Sequence, residues 1–356
     1  MFEDDKKSRP FSFGEGIRGM RPEDELSSLP KVELHLHLDC SLSYDVVKKI
    51  DPAVTQEEYQ YDFIAPPKCL DLVDFLKRAI KGYQLMQTKE ALQLVVQDVF
   101  KQLKADNTLY AEIRFAPFLH TEKGLTPYEV VQTIEAATAE AVMQTGVEAR
   151  LILCTLRHYS KEQSMATVKL VEQFKGTYVA AFDIAGDEAG CPVTNHMDAF
   201  DYAREKGLHI TAHAGEASGP ESVWETLEHF KPTRIGHGAR SVEDQKLVEH
   251  LREKKIHLEI CPSCNVQTSM YDEYKDHPVD QLKKEGVSLS INTDCRTIVD
   301  VTLTGEYNKL QKTFGWTKQD FFDCNVNALN AAFIPDELKT KLLIKLAEGY
   351  KMTQPA

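Results

Sequence analysis

His35 and His37 lie in the segment Val32-Glu-Leu-His35-Leu-His37-Leu-Asp39, separated by one apolar residue. On a β-strand two such side chains point to the same face, and imidazole is the commonest metal ligand near neutral pH. Alone, the pattern fits equally a strand that happens to carry two histidines. Three later segments change the balance: His213-Ala-Gly-Glu216, Arg234-Ile-Gly-His237-Gly and Asn292-Thr-Asp294, each following an apolar run. Three imidazoles and a carboxylate with an open position suit a catalytic zinc ion, whose bound water ionises near a pKa of about 7. The ligand types by themselves also suit iron or manganese. Glu216, three residues beyond His213, could transfer protons beside a metal without ligating it, or could be a first-turn helix glutamate favoured by the helix dipole. His237 is flanked by Gly236 and Gly238, which leave room for close approach. It reads as a metal ligand, as an electrostatic partner of an activated water, or as a packed core histidine.

These residues need elements that bring them together. Apolar runs rich in β-branched residues predict strands near Val32–Leu38, Leu109–Ala116, Ala149–Thr155, Tyr178–Ile184, His209–His213, Arg234–His237, His257–Cys261 and Val287–Asn292. Helical patterns fall between most of them, at Tyr128–Met143, Ser164–Lys175, His196–Lys206, Pro220–His229 and Val242–Lys254. Strand–helix alternation implies a parallel sheet, and eight such units match a (β/α)8 TIM barrel, whose active site lies where the strands end. A doubly wound open sheet is the alternative, but no Gly-x-Gly-x-x-Gly follows the first strand. About 70 residues separate strands one and two, far more than a usual βα connection, so a helical insertion is expected there. Its Leu72, Phe75, Leu76 and Ile80 recur at helical spacing, as a helix packed on the barrel, as an apolar lid, or both. Additional C-terminal helices are expected over Trp316–Lys351, broken at Pro335, with Asn325 and Asn327 as candidate caps. The chain reads as one domain over 1–356, with residues 1–28 as an N-terminal extension.

The 356 residues are 42% hydrophobic and 27% charged, a globular-enzyme composition. No apolar run reaches the ~18 residues of a membrane helix, and the charged start Met1-Phe-Glu-Asp-Asp-Lys-Lys lacks a signal segment. A cytoplasmic protein is expected. A net charge of −13 argues against nucleic-acid partners and favours a neutral or cationic small substrate. Eight cysteines in such a chain are expected as thiols rather than a disulfide framework. His257-Leu-Glu259-Ile-Cys261-Pro-Ser-Cys264 superficially suggests a second zinc site. However, zinc sites built from these residues use Pro-Cys-x-x-Cys well separated from His-x-Glu, whereas here Pro262 lies between the cysteines. Asn265 and Gln267 are further candidates for the pocket wall.

The ordered set His35-Leu-His37-Leu-Asp39, Gly186-Asp-Glu188, His213-Ala-Gly-Glu216, His237-Gly and Asn292-Thr-Asp294 resembles the adenosine deaminase family, within the metal-dependent amidohydrolases, from about Leu29 to Ala331. The resemblance implies one zinc ion per chain on His35, His37, His213 and Asp294. It implies Glu216 as the acid that protonates purine N1, and His237 as the residue that orients and helps deprotonate the water on the metal. Asp294 would accept a hydrogen bond from that water. The Gly186 backbone would meet purine N3, and Asp39 the ribose 5′-hydroxyl. Leu72, Phe75 and Leu76 would form an apolar gate. The implied reaction is hydrolytic deamination of adenosine or 2′-deoxyadenosine. Tyr178–Ile184 contains no lysine, which disfavours the carbamylated-lysine, two-metal sites of other relatives.

Two positions depart from the family pattern. A second aspartate usually follows the metal-binding one and hydrogen-bonds purine N7; here Cys295 stands there. Glycine usually follows Asp39; here it is Cys40. A thiol is only a weak donor. Because strands one and eight are neighbours in a closed barrel, the two cysteines are expected to face each other near the pocket wall. A modified adenosine, such as 6-aminodeoxyfutalosine or a 5′-substituted nucleoside, is therefore an alternative substrate. A nucleotide is disfavoured for lack of a basic cluster, with Arg296 the one exception.

Overall fold

A computed structural model describes residues 22–353. Eight parallel strands are hydrogen-bonded in sequence order: β1 (Lys31–His37), β2 (Thr108–Phe115), β3 (Glu148–Leu156), β4 (Val179–Ala185), β5 (His209–Ala214), β6 (Arg234–His237), β7 (His257–Ile260) and β8 (Leu289–Ile291). The bridge Leu36–Asp294 joins the last strand region to the first, so the sheet closes as the expected barrel with helices outside. Most strand residues are buried, as in any parallel sheet covered on both faces. The apolar core has two large parts. One gathers Leu36, Val99, Phe100, Ile134, Phe182 and Phe200; the other gathers Leu34, Ile235, Leu258, Leu289, Leu310 and Leu346.

Boundaries follow capping chemistry. The helix expected from Ser164 begins at Lys161, because Ser160 and Gln163 form a capping box. The helix expected from Val242 begins at Gln245, capped by Asp244. β8 is shorter than its apolar run. Past Ile291 the Asn292 side chain accepts the Leu34 and His35 amides at 2.8 and 3.1 Å, and Asp294 turns the chain with φ of 63°.

The long first connection holds the helices Tyr44–Ile50, Gln56–Asp62, Leu72–Leu85 and Lys89–Ala105. Leu72–Leu85 starts where the Asp71 side chain accepts the Asp74 amide, and it lies across the barrel mouth. Its Gly82 is indispensable there, because a Cβ would come within 2.2 Å of the Asp39 carbonyl oxygen. The C-terminal helices Leu303–Phe314, Lys318–Ala331 and Asp336–Tyr350 follow β8. Asn325 and Asn327 are not caps: both lie inside Lys318–Ala331, whose N-cap is Thr317. Buried Asn325 instead accepts the Val32 amide at 2.7 Å and donates to the Tyr307 and Tyr350 hydroxyls, tying this helix to the start of β1. No helix among the described residues is long and apolar enough to cross a membrane.

Candidate active site

The ends of β1, β5 and β8 bring His35, His37, His213 and Asp294 together, with one ligand atom from each within 4.8 Å of the others. Hydrogen bonds behind the rings fix which nitrogens face inward. His35 Nδ1 lies 2.9 Å from Glu259 Oε2, and His213 Nδ1 lies 3.2 Å from Asp183 Oδ1. Each carboxylate takes an N–H, so the Nε2 of both rings carries a bare lone pair. His37 Nε2 meets His213 Nε2 at 3.2 Å. His35 Nε2, fully buried, has no hydrogen-bond partner, although Asp294 Oδ1 stands 3.2 Å away. A bare His35 Nε2 lone pair and a carboxylate oxygen facing each other without a proton between them repel one another, and a cation removes that conflict. Burial holds His35 down at about 4, so the ring is neutral and ready to ligate at physiological pH. The donor set therefore fits a zinc-type ion.

One guanidinium organises this arrangement. Arg114, in β2, donates to Asp183 at 2.7 Å and to Glu259 at 2.6 Å. The two carboxylates that orient His213 and His35 thus share one buried cation. Burial alone would push the Asp183 pKa up, but His213 and Arg114 beside it hold it well below the usual carboxylate range. Glu259 is held down against burial by Arg114 and Arg234, and Arg234 also pairs with Glu112. Outer partners of this kind set ligand orientation and basicity. Sequence reasoning gave Arg114, Asp183 and Glu259 no role. The available signal was a charged residue in the middle of an apolar, doubly buried strand.

Glu216 follows β5 and is buried. Burial, then Asp294 and Glu188, pushes its carboxyl well above the usual range, so it holds a proton beside the anion Asp294. Its loop is stapled by Glu188, which accepts the amides of Gly215, Glu216, Ala217 and Ser218 at 2.6–2.9 Å. His237 ends β6 with φ of 60°, and its Nε2 lies 3.6 Å from Glu216 Oε2. Gly236 makes space for the rings: a Cβ there would stand 2.9 Å from His35 Cε1.

A cavity of about 380 Å³ opens on this centre. His37, His213, Glu216, His237 and Asp294 line its floor, and Leu72, Phe75 and Leu76 roof it from the insertion helix. Phe75 is buried, while Ile80, also on the lining, is exposed. Asp39 and Gly186 lie on its walls. Asp39 caps nothing; Ser43 caps the next helix. Burial raises the Asp39 carboxyl to about 6. Gly186 has φ of 98°, a left-handed turn that exposes its backbone. Cys40 and Cys295 both line the cavity and are free thiols. The two thiols are neighbours, and Cys40 donates its S–H to Asp39 Oδ1 at 3.6 Å.

Other expectations are corrected. Arg296 is buried and paired with Glu33 at 2.6 Å and Asp106 at 3.1 Å, so it offers nothing to a phosphate. Asn265 and Gln267 stand behind the lining: Gln267 donates to the Ala65 and Pro66 carbonyls, and Asn265 contacts His237. His257 is bonded to Ser288 and Ser290 and forms no second metal cluster with Cys261 and Cys264. Those two sulfurs lie behind Asp294 instead, held as thiols by burial.

A closed β/α barrel with imidazole lone pairs and a carboxylate meeting at its C-terminal mouth, beside a buried acid, defines a barrel hydrolase of the amidohydrolase type. The family model described as adenosine deaminase matches residues 30–349, and the chain belongs to the adenosine deaminase family, whose members hydrolyse a carbon–nitrogen bond. It is 33% identical over 328 residues to an adenosine deaminase of Clostridium perfringens, spanning 90% of this chain and 99% of that protein. It is 34% identical over 334 residues to one of Clostridium acetobutylicum, spanning 92% and 100%. Among solved structures, an adenine deaminase of Arthrobacter aurescens superposes with a TM-score of 0.84 at 24% identity, covering 91% of this chain and 99% of that one. An amidohydrolase of Burkholderia ambifaria with bound zinc gives 0.84 at 21% identity, covering 95% of each. At that identity the likeness speaks for the fold.

Proposed function

We propose that this chain, as one domain over 1–356, is a zinc-dependent deaminase converting adenosine or 2′-deoxyadenosine, with water, to inosine or 2′-deoxyinosine and ammonia. The observation that carries the reading is the Glu216 carboxyl, buried beside the converging ligands and pushed up by that burial. Relatives named adenosine deaminase at 33% and 34% identity support it. One zinc ion on His35, His37, His213 and Asp294 would supply, when bound, a water acidified to near neutral pKa. Glu216 gives its proton to purine N1, which makes C6 electrophilic. His237 faces the attacking oxygen, and Asp294 accepts a hydrogen bond from it. The Gly186 backbone meets N3, Asp39 receives the 5′-hydroxyl, and Leu72, Phe75 and Leu76 cover the base. Among the described residues Lys77 is the only Lys or Arg on the lining, against the carboxyl groups of Asp39, Asp187 and Asp294, which favours a nucleoside over a nucleotide. Unpaired thiols throughout the described residues support a reducing, cytoplasmic setting.

Ammonia release across a nucleoside panel, with metal analysis of the same preparation, tests this reading. Adenosine and 2′-deoxyadenosine are expected to be turned over with zinc present. Inactivity on both beside a strong modified substrate would transfer the assignment to that substrate. Retained zinc without any turnover would make the chain a binding protein.

The modified-nucleoside reading has one specific support: Cys295, a weak S–H donor, stands on the cavity lining where the family's aspartate would meet purine N7. The wild-type site is therefore expected to discriminate little at N7. Cys295→Asp should raise the ratio of kcat/KM for adenosine over its 7-deaza analogue by about tenfold, the worth of one hydrogen bond. An unchanged ratio would remove position 295 from base recognition.

A further inference from the structure

Behind His237, away from the cavity, a run of hydrogen bonds ends on a backbone amide. Val279 N–H donates to His277 Nδ1 at 3.1 Å. His277 Nε2 lies 3.1 Å from Asn265 Oδ1, and Asn265 Nδ2 lies 3.0 Å from His237 Nδ1. Asn265 and His277 are buried; the sequence singled out Asn265 only as a candidate for the pocket wall, and His277 not at all.

The direction of the run follows from its end. A backbone N–H can only donate, so His277 Nδ1 must carry a lone pair. Burial lowers His277 to about 3, so the ring is neutral and its one proton sits on Nε2. That N–H requires an acceptor, so the oxygen of Asn265 faces it and the amide nitrogen faces His237. The amide nitrogen only donates, so His237 Nδ1 must accept. An imidazole with a bare Nδ1 carries its proton on Nε2. Turning over the Asn265 amide, or moving the proton on His277, sets donor against donor at one of the three contacts.

We infer that Asn265 and His277 are positioning residues that lock His237 as its Nε2–H tautomer, so that it presents a hydrogen-bond donor to the attacking oxygen. A ring in this state can hold an oxygen at Nε2 but cannot take a proton there without first losing one. This replaces the base-like part of the role that the family resemblance implies. The statement about the attacking oxygen rests on the deaminase reading; the tautomer itself does not.

Nitrogen-15 NMR of the full-length protein labelled at histidine tests the tautomer directly, both metal-loaded and after chelation, with His237 assigned by comparison with His237→Gln. The expected wild-type spectrum has a bare, pyridine-type Nδ1 and a protonated, pyrrole-type Nε2. Finding the proton on Nδ1 overturns the proposal, whatever any variant does. Asn265→Asp places an acceptor behind Nδ1 and should invert the two signals. It should also lower kcat by about 10²-fold or more, as misplacing a catalytic histidine's tautomer does elsewhere, with KM little changed. His277→Phe preserves the bulk but frees the Asn265 amide to turn, and should give a mixture of tautomers. A His237 signal unchanged in both variants would show that these residues do not set it. An Nε2–H wild-type ring in a chain inactive on every nucleoside would sink the deaminase reading alone. A wild-type Nδ1–H ring with full adenosine turnover would sink this inference alone.

Discussion

Glu216→Gln is expected to lower adenosine turnover by about 10²-fold or more, the range of a lost general acid, while bound metal stays at the wild-type level. Glutamine preserves the size of the side chain but lacks the acidic proton that burial, Asp294 and Glu188 retain on Glu216. The ligand set His35, His37, His213 and Asp294 does not include position 216, so metal content should be unmoved. A wild-type rate would reject the acid role. The same substitution has a pH signature in stability. Glu216 has a folded-state pKa above its unfolded value, so its contribution is fully present below the ordinary carboxylate range and is lost as pH rises through the folded value. Glutamine carries no such loss. The unfolding midpoint of Glu216→Gln relative to wild type should therefore rise with pH from the acid side toward neutrality and above. A pH-independent difference would mean that Glu216 is an ordinary carboxylate.

Arg114→Met should be the most damaging single change to the scaffold. Arg114 is fully buried and compensates Asp183 and Glu259 together. Removing one partner from a buried ion network typically costs about 3–5 kcal/mol, because the charge left behind stays in a low-dielectric interior. The damage extends to the ligands, since those carboxylates orient His213 and His35. Loss of such outer support commonly lowers metal affinity by about 10–100-fold. Chemical denaturation and metal competition measure the two effects. By contrast, loss of the exposed Lys341–Glu337 pair should stay within about 0.5 kcal/mol. An Arg114→Met protein with wild-type metal affinity would show that Asp183 and Glu259 keep the rings aligned without it.

Much of this was legible because it rests on short-range pattern. Strand runs of the right length, separated by amphipathic stretches, led to the barrel, and the chemistry at the strand ends followed from motif spacing. Boundaries slipped where a side chain rather than hydropathy sets the end, as at Ser160 and Asn292. The supporting shell was illegible for a different reason. Asp183 looks like a break in an apolar strand until Arg114, 69 residues earlier, is seen beside it. Asn265 reads as a candidate for the pocket wall until His277 and Val279 place its amide behind His237 and give it a direction. Arg296 looked available to a phosphate because its partners Glu33 and Asp106 lie 263 and 190 residues away.

The junction of β1 with β8 has a wider consequence. Elsewhere neighbouring strands pair over two or more residues, but here a single bridge, two amide contacts (His37 N–H to the Asp294 carbonyl and Asp294 N–H to the His35 carbonyl) and the Asn292 side chain on the Leu34 and His35 amides complete the circle. Of the four proposed ligands, His35 and His37 stand on one side of that junction and Asp294 on the other, while His213 comes from β5. An ion seated among them acts as a rivet across the weakest staple of the cylinder, so part of its affinity is folding free energy, and catalytic competence and mechanical integrity would be lost together.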